Sequence, residues 1–402
     1  MLARPSRRTI PTISALAVAA AVLALAPASA PARSTAPSGA AFYKPPRHIP
    51  ARHGDLIRSR PATAQTSLAA AASTRLVLYS STSLRGRPIA VSGLVSVPRG
   101  HAPKGGWPVI SWAHGTTGIA DVCAPSRARS TGTARGNADP TDVAMDAWLR
   151  RGYAIVRTDY AGLGTPGPHP YLIGHSEGRS VLDIVRAARR LDPRIGRRLL
   201  IAGHSQGGQA ALFAAADAPR WTPELNLRGV IAYAPASQLA FEVRVATKSF
   251  TTPSPLSGIG ALLVVSAAND SKAVRLADLL SPAARRLVPQ VDRVCLDTLS
   301  GKRSWGALAP SQILRPGADT RAVYRVLDAM NPALAIRAPV LLLQGSADQT
   351  VLPLLSDMLV RQLRAKRDRV EYRMLPGVDH GPAVGAGQRI ALPWLSARLA
   401  RG

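Results

Sequence analysis

The sequence predicts a mixed α/β fold, with a mainly parallel central sheet, helices on both of its faces and an inserted, mostly helical cap. Three observations carry this. Short apolar runs alternate with amphipathic helical patterns from about residue 75 onward. The apolar runs are two-sided, as strands buried on both faces must be. The alternation lapses over residues 237–337 and then resumes.

In chain order, Arg75–Ser80 and Pro88–Val97 read as an antiparallel pair, Trp107–Ala113 as a buried strand, Thr141–Arg151 as a helix and Tyr153–Thr158 as a strand. A helix is expected from about Ser176 to Leu191, then the strand around Leu199–Gly203, a helix after Ser205, and the strand Gly229–Ala234. Residues 237–337 hold helical patterns, prolines and the apolar run Ile259–Val265. They are expected as a helical cap over the site, with an independent second domain as the alternative. Pro339–Gly345 restores the strand pattern, followed by a helix over Leu352–Lys366, the strand Val370–Leu375 and a closing helix over Ala383–Ala400.

Arg4, Arg7 and Arg8 precede an apolar run from Ile13 to Leu25 with small-residue cleavage sites after it, so residues 1–32 read as a secretory signal peptide. Retention as an anchor is the alternative, and the arginine pair leaves twin-arginine export open. Residues 33–66, rich in Pro, Ala, Arg and Ser, read as a flexible leader, and 67–402 as the folded domain. The expected location is extracellular or in the cell envelope. There are two cysteines, Cys123 and Cys295. In an oxidising compartment they are expected to pair, constraining the unfolded chain by roughly 4–5 kcal/mol on the chain-entropy account; two buried thiols are the alternative. Two cysteines without ligand-spaced histidines make no zinc site, and no metal or organic cofactor is called for. The net charge of +28 is spread through every segment rather than gathered in a stripe. That argues against nucleic acid as a partner and favours peripheral contact with anionic lipid or envelope surfaces.

The chemistry is carried by Gly203-His204-Ser205-Gln206-Gly207, where an apolar strand breaks into a helix. That context is a nucleophile elbow: the serine is thrust out on a tight strand-to-helix turn at the carboxyl end of the sheet. A second match, Gly174-His175-Ser176-Glu177-Gly178, follows a proline-broken stretch and precedes an amphipathic helix, so Ser176 reads as a helix N-cap instead. A serine hydroxyl needs a base, and the base needs a carboxylate to orient it. Asp348 follows the strand ending at Gly345, and His380 follows the last strand, in the order serine, acid, histidine. Asp379 and Asp357 compete for the acid, and His204, His114, His175 and His169 for the base, each from a less suitable element. The oxyanion donors are expected at the backbone N–H of Gln206 and, from His114-Gly115-Thr116-Thr117-Gly118, of Thr116.

With these residues in place the chain resembles the secretory lipase family of α/β-hydrolases, including lipase A type enzymes. The likeness extends to Thr158-Asp159-Tyr160-Ala161-Gly162-Leu163-Gly164, Val181-Leu182-Asp183-Ile184-Val185-Arg186-Ala187-Ala188 and Cys123-Ala124-Pro125-Ser126. The resemblance implies a secreted serine hydrolase of acylglycerols or other fatty-acyl esters, with a cap inserted before the acid and a disulfide joining Cys123 to that cap. Lipase A type enzymes carry an acidic residue in the oxyanion segment, where this chain has His114-Gly115-Thr116. Polysaccharide or polyester esterases and acyltransferases use the same constellation. A non-catalytic envelope-binding protein is the alternative of another class.

Overall fold

The alternating runs fold into one nine-stranded sheet among the described residues, which are 1, 2, 36–127 and 140–400 of the computed structural model. In chain order the strands are β1 (Leu56–Pro61), β2 (Ser73–Thr82), β3 (Pro88–Val97), β4 (Trp107–Ala113), β5 (Ala154–Thr158), β6 (Ile195–His204), β7 (Asn226–Tyr233), β8 (Val340–Gly345) and β9 (Val370–Leu375). Across the sheet they lie β1-β2-β3-β5-β4-β6-β7-β8-β9. The pairings from β1 to β5 are antiparallel and those from β5 to β9 parallel.

Alternate side chains of the parallel strands feed opposite faces. Val109, Leu199, Ile201, Val230 and Val340 pack with α2 (Gly174–Leu191) and α3 (Gln206–Trp221), and α1 (Pro140–Arg150) belongs to the other side. Ile110, Leu200, Ala202, Ile231 and Leu341 pack there with Trp148, Trp394 and Leu395. Between β7 and β8 run α4 (Leu239–Ser249), α5 (Leu256–Asp270), α6 (Leu276–Leu279), α7 (Pro282–Val291), α8 (Leu296–Leu299) and α9 (Arg321–Ala329), around a core of their own. Tyr171 and Leu172 of the main domain enter that core beside Leu262, Leu279 and Leu327. After β8 come α10 (Pro353–Ala365), α11 (Ala383–Ala386) and α12 (Gln388–Ala400), the last two dividing what reads in sequence as one closing helix.

The flexible leader expected at 33–66 is corrected from residue 36 on. Phe42 and Tyr43 are buried against Leu76, Leu78, Ala90 and Leu94, the face of β2 and β3 turned away from α2, and Leu56–Pro61 pairs with β2 as an edge strand. The two aromatics, with Ala36, Ile49, Ile57 and Ala62 packed around them, cover that face. The expected signal peptide lies, after its first two residues, outside the described residues, and no helix among the described residues is long and apolar enough to cross a membrane.

Candidate active site

Ser205 links β6 to α3 with φ 57° and ψ −118°, a conformation that L residues adopt only under constraint. Three backbone hydrogen bonds supply the constraint: its N–H donates to the Tyr233 carbonyl at 2.9 Å, and its own carbonyl accepts from Gln209 at 3.1 Å and Ala236 at 3.2 Å. Gly207 is needed because a Cβ there would overlap the Ala113 carbonyl, where α3 starts against the end of β4.

Asp348 follows β8 and is buried. Its Oδ1 accepts from the backbone N–H groups of Thr350 and Val351, both at 2.8 Å, and its Oδ2 accepts from Gln344 Nε2 at 3.1 Å. His380 Nδ1 stands 2.7 Å from the same Oδ2. Burial on its own would raise the Asp348 carboxyl, but the His380 contact and the two backbone donors outweigh it and hold the group below its ordinary value. The competitor Asp379 instead accepts from the His380 and Gln349 backbone N–H groups, shaping the loop. His380 is placed beside the elbow: its carbonyl lies 3.0 Å from His204 Nε2, and the two rings are 4.6 Å apart. Burial, with His380 adjacent, lowers His204 to about 3, leaving it neutral.

The segment His114–Gly118 lies against the elbow, since a Cβ on Gly115 would come 3.7 Å from the Ser205 Cβ. Thr116 Oγ1 is 2.8 Å from Tyr171 Oη. Thr116 and Ser205 line a cavity of about 410 Å³ whose walls come largely from α4, α5 and the start of α10, including Leu239, Ile259, Leu263 and Leu355. Glu242 is the acidic side chain among its lining groups. Cys123 and Cys295 form a disulfide that ties the end of the 114–118 segment to α8, and the Leu296 N–H donates to the Thr117 carbonyl at 2.9 Å.

Ser176 does not cap α2. The N-cap is Ile173, and Ser176 sits buried in the first helical turn. The glycine of that second motif serves packing, because a Cβ on Gly174 would run into the Phe213 ring of α3. The residues that sequence reasoning missed are Glu177 and Glu242. Neither is marked by the sequence pattern, since tertiary packing is what sets each apart.

The model of the family described as secretory lipase matches residues 137–402. The chain belongs to the secretory lipase family. The chain is 27% identical over 236 residues to lipase A of Moesziomyces aphidis, covering 56% of the chain and 49% of that protein. It is 28% identical over 241 residues to a probable inactive lipase of Mycobacterium tuberculosis, covering 58% of the chain and 52% of that protein. The chain thus spans about half the length of the curated relatives it matches. Among solved structures it resembles Candida antarctica lipase A in its closed state, with a TM-score of 0.74, 19% identity and coverage of 89% of this chain and 85% of that one.

Proposed function

We propose that the chain is a secreted serine ester hydrolase that cleaves acylglycerols or other fatty-acyl esters through an acyl-enzyme. The observation that carries this reading is the 2.7 Å contact between His380 and the buried, multiply hydrogen-bonded Asp348, set beside the strained Ser205. Asp348 fixes the tautomer with the proton on Nδ1, leaving Nε2 as the base. Ser205 Oγ attacks the ester carbonyl while His380 takes its proton, and the oxyanion is met by the backbone N–H groups of Gln206 and Thr116. His380 then gives the proton to the departing alcohol as the ester C–O bond breaks. A water, activated the same way, releases the acid and frees Ser205. The apolar cavity beside Ser205 is suited to an acyl chain, which is bound mainly through buried area.

One experiment tests both the mechanism and the substrate class: hydrolysis of p-nitrophenyl esters of increasing acyl length by the wild type, Ser205→Ala and Ser176→Ala. Each buried methylene is worth about 0.8 kcal/mol, so kcat/KM should rise about fourfold per methylene from acetyl to hexanoyl. Ser205→Ala should lose at least about 10³-fold in kcat, with Ser176→Ala close to wild type. Full activity in Ser205→Ala would overturn the mechanism, and a sharp preference for acetyl would overturn the fatty-acyl assignment.

A further inference from the structure

Glu177 stands in the first turn of α2, in the serine motif that the proposed mechanism leaves unused, and has no solvent exposure. Its Oε1 accepts the Gln206 side-chain amide at 2.7 Å and the Leu172 backbone N–H at 2.8 Å. The same Gln206 nitrogen lies 3.2 Å from His169 Nε2. His169 Nδ1 is 2.9 Å from the Ala161 carbonyl, so the ring proton belongs on Nδ1 and Nε2 is the acceptor. Burial keeps His169 neutral, lowered to about 4. Both protons of the Gln206 amide are therefore committed to fixed acceptors, and Gln206 is the residue whose backbone N–H follows the nucleophile.

The second bond reaches the other side of the site. Leu172 has φ 59°, a strained conformation for leucine that its N–H bond to Glu177 helps to hold. The neighbouring Tyr171 hydroxyl is 2.8 Å from Thr116 Oγ1. One carboxyl thus connects to both oxyanion segments, through Gln206 directly and through the 171–172 strap to Thr116.

We propose that Glu177 is a positioning residue for the oxyanion hole, holding the Gln206 and Thr116 donors in register through Oε1. The proposal rests on the serine-hydrolase reading above. Glutamine at 177 preserves the acceptor oxygen, whereas leucine removes it and leaves the Gln206 amide and the Leu172 N–H unpaired. The test is kcat per active site, with sites counted by a fluorophosphonate titration, together with KM on a p-nitrophenyl hexanoate series. Glu177→Leu should lower kcat per titrated site roughly 10- to 100-fold with KM within about twofold, and Glu177→Gln should restore it to within about threefold of wild type. Gln206→Met cuts the same bond from the other end while keeping the backbone N–H, and should show the same loss of kcat should Glu177→Leu fail to fold. Wild-type kcat per site in Glu177→Leu or Gln206→Met, equal losses in the Gln and Leu variants, or a loss confined to KM would each overturn the proposal. With Ser205→Ala silent, these outcomes bear on Glu177 alone, whereas an active Ser205→Ala would remove the hydrolase reading and this proposal together.

Discussion

At the scale of single residues, an acid lining an apolar cavity is an electrostatic conflict, and Glu242 embodies it. Burial, reinforced by the nearby Asp348 carboxylate, pushes Glu242 up to about 7. Below that pH the side chain is neutral and tolerates an alkyl chain. As pH rises through 7 it ionises, and filling the cavity then strips water from a carboxylate, which opposes binding. The expected outcome is that the ratio of kcat/KM for Glu242→Gln over wild type, measured on hexanoyl esters, is near one at pH 6 and grows to roughly three- to tenfold at pH 9. A ratio flat across this range would show that Glu242 does not meet the chain. Ser205, Asp348 and His380 were legible in sequence as residues that follow a strand, because a strand-like run ends shortly before each. Glu177 and Glu242 were not, because what distinguishes them is burial, which only the tertiary packing of α2 against α3, and of α4 over the cavity, creates.

At the scale of elements, legibility followed contrast in the pattern. The parallel strands β4, β6, β7 and β8 are short, apolar on both faces and bounded by polar or glycine-containing turns, so their existence and order could be read directly. β1 could not, because this edge strand has two adjacent apolar residues, Leu56 and Ile57, followed by Arg58, Ser59 and Arg60, all half-buried, leaving no period to detect. The four-residue helices α6 and α8 are shorter than a pattern of 3.6 residues per turn needs to declare itself. The segment before β2 is consequently where an element-scale prediction has most to correct. Phe42 is fully buried against Leu76, Leu78 and Leu94, so Phe42→Ala should cost about 3–5 kcal/mol, the usual range for removing a buried aromatic. A urea titration checks it: an unchanged midpoint would return residues 36–66 to the status of a loose leader.

At the scale of the whole molecule, the cap and the main sheet are joined at the same few residues that line the candidate site. Ser266 of α5 donates to the Tyr171 carbonyl at 2.7 Å, and Gln209 of α3 donates to the carbonyls of Leu172 and of Met330 just after α9, both at 2.8 Å. The Cys123–Cys295 disulfide spans 172 residues of sequence and closes this arrangement from the other side, next to the Leu296 to Thr117 hydrogen bond. A crosslink over so long a loop restricts the unfolded chain strongly, and losing a native disulfide typically costs 2–5 kcal/mol. For a chain of this size that corresponds to a fall in Tm of roughly 2–6 °C. Because the bond also fixes the end of the segment bearing Thr116, replacing both cysteines by serine should lower kcat per titrated Ser205 several-fold at temperatures well below the new Tm. Calorimetry and active-site titration on the same samples separate the two effects. A lower Tm with kcat per site unchanged would mean that the disulfide serves stability alone, and that the Leu296 to Thr117 bond and the Tyr171 strap hold the oxyanion segment without it.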